Sequence, residues 1–140
     1  MKRRNPARWR AIEARLGREM TIWIATVRYD GRPHLVPVWF IWLDGKIYIA
    51  TGRETQKYTN MYHNQRVALA LPDTANVIII EGEAHVAPRN TIDTLADYFY
   101  HKYEWDFRYD DTASWQLIEI TPHKILAWGD GYDAEGIRVL

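Results

Sequence analysis

WFIWLDGKIYIATGRETQKYTNMYHNQR, residues 39–66, reads as a strand, a tight turn, a second strand, a short polar link and a helix. Asp44-Gly45 is the dipeptide that a two-residue hairpin turn favours. KIYIAT, residues 46–51, returns as the second strand. The link and the first helical turn then gather Thr51, Arg53, Thr55, Gln56 and Lys57 within seven positions. A helix start already presents unpaired backbone N–H groups and the positive end of the helix dipole. Hydroxyl, amide and cationic donors collected there make an anion cradle, and the phosphate of a cofactor is its expected occupant.

Immediately upstream, HLVPVWFIWL (residues 34–43) is apolar on both faces. Leu35, Trp39 and Ile41 fill one side, and Val36, Val38, Phe40 and Trp42 the other. A strand with one wet face would alternate apolar and polar, so the outer face calls for a cover, either a ligand or a second subunit. Pro37 has no N–H for a ladder, which places an interruption or a sheet edge there. TIWIATVR (21–28) precedes this run across a turn containing Asp30-Gly31. Further strands are expected at 66–71, at 77–86 with a bulge or corner at Gly82, and at 115–128 with a bend at Pro122.

Three helices complete the pattern. Asn5-Pro6 opens the first, with Trp9, Ile12 and Leu16 at helical spacing, Gly17 as its end and Arg8, Arg10, Arg15 and Arg18 as a solvated face. Residues 57–64 form the second, and 91–103 the third, with a stripe of Ile92, Leu95, Ala96, Phe99 and Tyr103. Six short strands joined by hairpins and helices predict a mainly β fold, a six-stranded antiparallel barrel with peripheral helices. A length of 140 residues suits one domain, with 1–18 as its N-terminal helix and 129–140 as a loose tail.

Composition removes whole classes of function. Lys plus Arg equals Asp plus Glu at 18 each, so no net charge argues for nucleic acid or an anionic membrane as partner. No apolar run approaches a membrane span. The absence of cysteine excludes disulfides, a thiolate nucleophile and a cysteine zinc site, and it fits the cytoplasm. The five histidines show no metal-ligand helical spacing, so no metal site is expected. Asp110-Asp111, Glu104 and Asp106 read as exposed loop carboxylates, and no catalytic acid, base or nucleophile stands out.

From IATVRYDGRPHLVPVWF through IYIATGRETQKYTNMYHNQRVAL and EGEAHV to WQLIEITPHKILAW, the chain resembles the pyridoxamine 5′-phosphate oxidase-like, FMN-binding split-barrel family. Its most specific portion runs from Ala50-Thr51 through Thr55-Gln56-Lys57 to Asn64-Gln65-Arg66-Val67. The resemblance implies a Greek-key split barrel that forms a homodimer, with FMN at the subunit interface and a small-molecule substrate. It implies that Ala50, Thr51, Arg53, Thr55, Gln56, Lys57 and Asn60 surround the flavin phosphate. Leu35, Val36, Pro37, Val38, Trp39 and Phe40 would run beside the isoalloxazine. The chain departs from the family's oxidases at Gln56, where they carry Arg, and at Asn76-Val77, where they carry Gln near the strand start. GDGYDAEGIRVL also lacks their substrate-binding segment. An FMN-dependent oxidoreductase other than pyridoxamine phosphate oxidase proper is therefore expected. The alternatives are a coenzyme F420-dependent reductase and a non-catalytic flavin- or heme-binding protein on the same barrel.

Overall fold

A computed structural model describes residues 6–129 and the backbone of 137–138. Asn5, the expected first cap, and most of the expected loose tail lie outside the described residues.

Helix α1 (Pro6–Arg18) buries Trp9, Ile12 and Leu16, the stripe its spacing predicts. Arg15 corrects the expectation of a solvated basic face. It follows Ile12 by three positions, which puts it on the same side of the helix. Only 9% of it is exposed, and its guanidinium donates to the Asn76 carbonyl at 2.7 Å, with Asp73 and Glu19 each 3.7 Å away.

Strands β1 (Ile22–Val27) and β2 (Pro33–Val38) pair through a turn in which Gly31 takes φ 91°. Gly31 N–H donates to Arg28 O at 2.8 Å and Arg28 N–H to Arg32 O at 3.0 Å, a three-residue loop closing on a glycine bulge. β3 (Ile41–Leu43) and β4 (Lys46–Gly52) form the second hairpin, with Asp44 at φ 51° and Gly45 at φ 75° in its two-residue loop. Helix α2 (Gln56–His63) follows, then β5 (Arg66–Ala70) and β6 (Asn76–Val86). After a short 3₁₀ turn come α3 (Ile92–Tyr103), β7 (Trp115–Gly129) and β8 (Ile137–Arg138).

All pairings are antiparallel, in the order β2-β1-β5-β6-β7-β4-β3, with β8 also on β7. The strand count therefore corrects the expected six. The apolar run 34–43 yields two strands at opposite ends of the sheet, and two residues of the expected tail add β8. The run breaks at Trp39-Phe40 because α3 takes the place of a neighbouring strand. Phe40 N–H donates to the Tyr103 hydroxyl (3.0 Å), and the Phe40 carbonyl accepts from Lys102 Nζ (3.0 Å). Pro37 lies on β2, an end strand of the sheet, where its missing N–H leaves no ladder bond unmade.

The sheet curls into a half-barrel. At Glu81/Gly82 the β6–β7 register shifts, with Gly82 opposite Pro122. A Cβ on Gly82 would sit 2.3 Å from the Thr121 carbonyl oxygen, so only glycine allows β7 to approach this closely. The concave face encloses Ile24, Phe40, Ile47, Ile49, Leu69 and Ile80. A second cluster, with Leu95, Phe99, Phe107 and Leu117, lies between α3, the 104–114 link and the sheet. The convex face carries apolar rows. Pro37, Trp23, Ala70, Ile79 and Leu126 stand in register from β2 to β7, and Leu35 is 60% exposed in the row beside them.

Candidate functional site

A cleft of about 480 Å³ opens beside the free edge of β2. Pro37, Val38 and Trp39 form one wall, Ala50 of β4 and Lys57 of α2 the floor, and Phe99, Trp105, Asp110 and Trp115 the facing wall. Five residues chosen from sequence thus line one cavity. The others stand around it in different roles.

The polar link builds the start of α2. Thr55 is the N-cap (φ −84°, ψ 156°), and its hydroxyl accepts the Tyr58 N–H at 3.3 Å. The same hydroxyl donates to Gly52 O at 2.8 Å, so the Thr51 hydroxyl, 3.2 Å away, is the donor to Thr55. Both hydroxyls therefore hold the turn as well as facing the helix start. Asn60 is buried and joins α2 to β1 by donating to Thr26 Oγ1 at 2.9 Å, while Gln56, exposed, donates to Asn60 Oδ1 at 2.7 Å. Arg53 turns toward β7, donating to Ser114 Oγ (2.9 Å) and Gln116 Oε1 (2.7 Å).

Lys57 is the exception. It is half-buried in the cleft and has no hydrogen-bond or ion-pair partner among the described residues, and burial pushes its pKa below the usual lysine value. Beside it, the N–H groups of the first helical turn have no intrahelical acceptor.

On β2, side chains alternate outward (Leu35, Pro37) and toward the core (Val36, Val38). The Arg28–Arg32 bond makes Thr26–His34, Ile24–Val36 and Ile22–Val38 the hydrogen-bonded pairs. The Leu35 N–H and the Leu35 and Pro37 carbonyls consequently face the open edge. Phe40 is fully buried, and its N–H is already taken by Tyr103.

Sequence reasoning missed the facing wall. Trp39 stacks on Tyr103 with ring centroids 4.6 Å apart and planes 5° from parallel. Trp105 stands edge-on to Trp39 (74°) and to Trp115 (77°). Trp42, by contrast, packs on Trp9 and donates its indole N–H to Glu13 at 3.0 Å, well away from the cleft. Asp110 corrects the reading of an exposed loop carboxylate, for it is half-buried in the wall. It accepts the Thr112 hydroxyl and N–H (2.8 Å) and the Trp105 indole N–H (2.7 Å), and these bonds bring its pKa down to about 2. The signal available in sequence was the pair of tryptophans flanking that acidic link.

None of the five histidines lines this cleft. Among the described residues, no group of three His, Asp or Glu side chains is arranged to hold a metal ion, and no helix is long and apolar enough to cross a membrane.

The profile of the pyridoxamine 5′-phosphate oxidase family matches residues 9–129, most of the chain. The chain belongs to this family. Among solved structures, the General Stress Protein 26 of Bacillus anthracis str. Sterne is 28% identical, over 93% of this chain and 97% of that one, with a TM-score of 0.70. An F420 reductase is 24% identical over 81% and 94%, with a TM-score of 0.67. A heme binding protein of Mycobacterium smegmatis is 15% identical over 91% and 56%, with a TM-score of 0.75. These last two likenesses show a shared fold. No curated protein matches the chain. Within the pyridoxamine 5′-phosphate oxidase family, then, the cleft at Lys57 can be read for what it would bind.

Proposed function

We propose that the protein is an FMN-dependent oxidoreductase, working as a homodimer on a small molecule other than pyridoxamine phosphate. The observation that carries this reading is Lys57, an ammonium group half-buried at a helix start in an aromatic cleft, with no partner among the described residues. A buried cation without a counter-charge is costly, and a phosphate supplies the missing anion. The donor set fits the group. Lys57 and the N–H groups of Gln56 and Lys57 would bind the phosphate, with the second amide hydrogen of Gln56 beside them. Thr51 and Thr55, whose hydroxyl protons go to Thr55 and Gly52, would hold the turn that presents them. Asn60 would fix the helix that carries it, and Arg53 would brace β7 at its rim. The Leu35 N–H and the Leu35 and Pro37 carbonyls offer one donor and two acceptors to a polar ring edge, while Val36 and Val38 keep that strand seated on the core. Trp39, Phe99, Trp105 and Trp115 would exclude water, with Ala50 leaving room on the floor and Phe40 anchoring the wall from below. When bound, the flavin ring supplies the hydride-transfer chemistry, and the protein supplies placement and electrostatics.

A second reading, a coenzyme F420-dependent reductase, is favoured by the charge balance of the cradle. Lys57 is the single cation lining it, because Arg53 turns its guanidinium away toward Ser114 and Gln116. One positive charge matches a phosphodiester better than a phosphomonoester dianion. The absorbance spectrum of the purified protein and the mass of the molecule released by heat distinguish the two cofactors. Titration with the released cofactor then tests the site. Lys57→Ala is expected to weaken binding roughly ten- to a hundredfold, the worth of one charge-assisted hydrogen bond. Unchanged affinity would remove Lys57 from the cradle.

A further inference from the structure

Asp110 is an unusual group to find in an aromatic wall. Its three hydrogen-bond donors, the Thr112 hydroxyl, the Thr112 N–H and the Trp105 indole, are all neutral. The Trp115 indole, also neutral, lies close by and helps to lower the Asp110 pKa. No Lys, Arg or His side chain forms an ion pair with Asp110 among the described residues. The carboxylate therefore keeps a full negative charge, held rigidly at the side of the cleft.

Around it, Trp39, Trp105 and Trp115 meet as successive near-perpendicular walls. Trp39 is 47% exposed, with Tyr103 stacked on one side of its ring. Indole faces carry the negative part of the ring quadrupole, so the walls and the carboxylate favour the same sign of guest. The effect strengthens where aromatic walls displace water. A neutral aromatic guest would gain from the walls but nothing from the charge. An anion would be repelled by Asp110, and Lys57, the other charged group of the cleft, comes from α2 on the floor.

We propose that the tryptophan wall and Asp110 form a recognition site for an organic cation, a molecule bearing an alkylated ammonium nitrogen. As the identity of a substrate class, this rests on the reading that Lys57 holds the cofactor phosphate; as a binding site, it stands on the wall alone.

Calorimetric titration of the purified protein with choline and with dimethylbutanol, its neutral carbon isostere, tests it directly. Choline is expected to bind about tenfold or more tightly than the isostere. Asp110→Asn is expected to reduce that preference severalfold, leaving only the contribution of the indole faces. Equal binding of the two probes by the wild-type protein, or a choline preference undiminished in Asp110→Asn, would overturn the proposal. The wild-type comparison needs no variant, so a poorly folded Asp110→Asn protein does not weaken it. A protein that binds no flavin yet prefers choline would refute the cofactor reading and uphold the cation site. One that binds FMN and ignores the charge of the probe would do the reverse.

Discussion

The Tyr103 hydroxyl accepts the Phe40 N–H and donates to the Met20 carbonyl at 2.8 Å, while its ring backs Trp39 in the cleft wall. Burial holds its pKa up at about 12, so it remains a phenol at any physiological pH. Tyr103→Phe would keep the ring and strand a buried N–H. It should cost about 1–3 kcal/mol in chemical denaturation, the penalty for an unsatisfied buried donor. A loss within error would show that water replaces the hydroxyl. At this scale sequence was a partial guide. Lys57 stood out because hydroxyls, an amide and a helix start surround it within a few positions, a local pattern. Asp110 and Tyr103 act through partners or cavities assembled from distant segments. Phe40 lies 63 positions from Tyr103, a separation that no local spacing encodes. Arg15 departs from the expected solvated face for a related reason, since the carbonyl that attracts it lies 61 positions away.

Elements were more legible than residues. Both Asp-Gly turns and the apolar stripes of α1 and α3 follow from short-range rules, and each forms where those rules put it. The run 34–43 carries its edge signal at Pro37, and β2 is an end strand, but the break itself falls at Trp39-Phe40, where α3 intervenes and nothing local marks the point. A glycine inside a strand predicts a bulge or corner at Gly82, and the register shift lies there. The reason is a contact with the opposite strand, and it makes a sharp prediction. Gly82→Ala would force the Thr121 carbonyl and the β7 backbone to move. A loss of roughly 1–3 kcal/mol is expected from overpacking, read as a lower thermal midpoint with the m-value retained. An unchanged midpoint would mean that the half-barrel is not held closed at this corner.

For the molecule as a whole, the convex face poses the question that sequence raised about the doubly apolar strand. Trp23, Leu35, Pro37 and Ile79 occupy a contiguous surface without a cover in the single chain, the kind of patch that marks an interaction site. On the homodimer reading, Trp23→Glu would place a carboxylate at the centre of this face. Sedimentation should then show a monomer in place of a dimer, with the wild-type circular dichroism spectrum preserved. A variant that sediments like the wild type would place the subunit contact elsewhere.

The first and last strands of the sheet, β2 and β3, are halves of one stretch of chain. The circuit of strands is thus completed by covalent bonds across Trp39-Phe40 where a hydrogen-bonded seam would otherwise lie. A seam of hydrogen bonds can unzip to admit a bulky guest; two residues of main chain span at most about 7 Å and cannot lengthen. The stitch is also knotted to α3 at Phe40, so the mouth beside it widens only if that helix lifts. The width of that mouth is therefore set by main chain on one side and by the seat of α3 on the other.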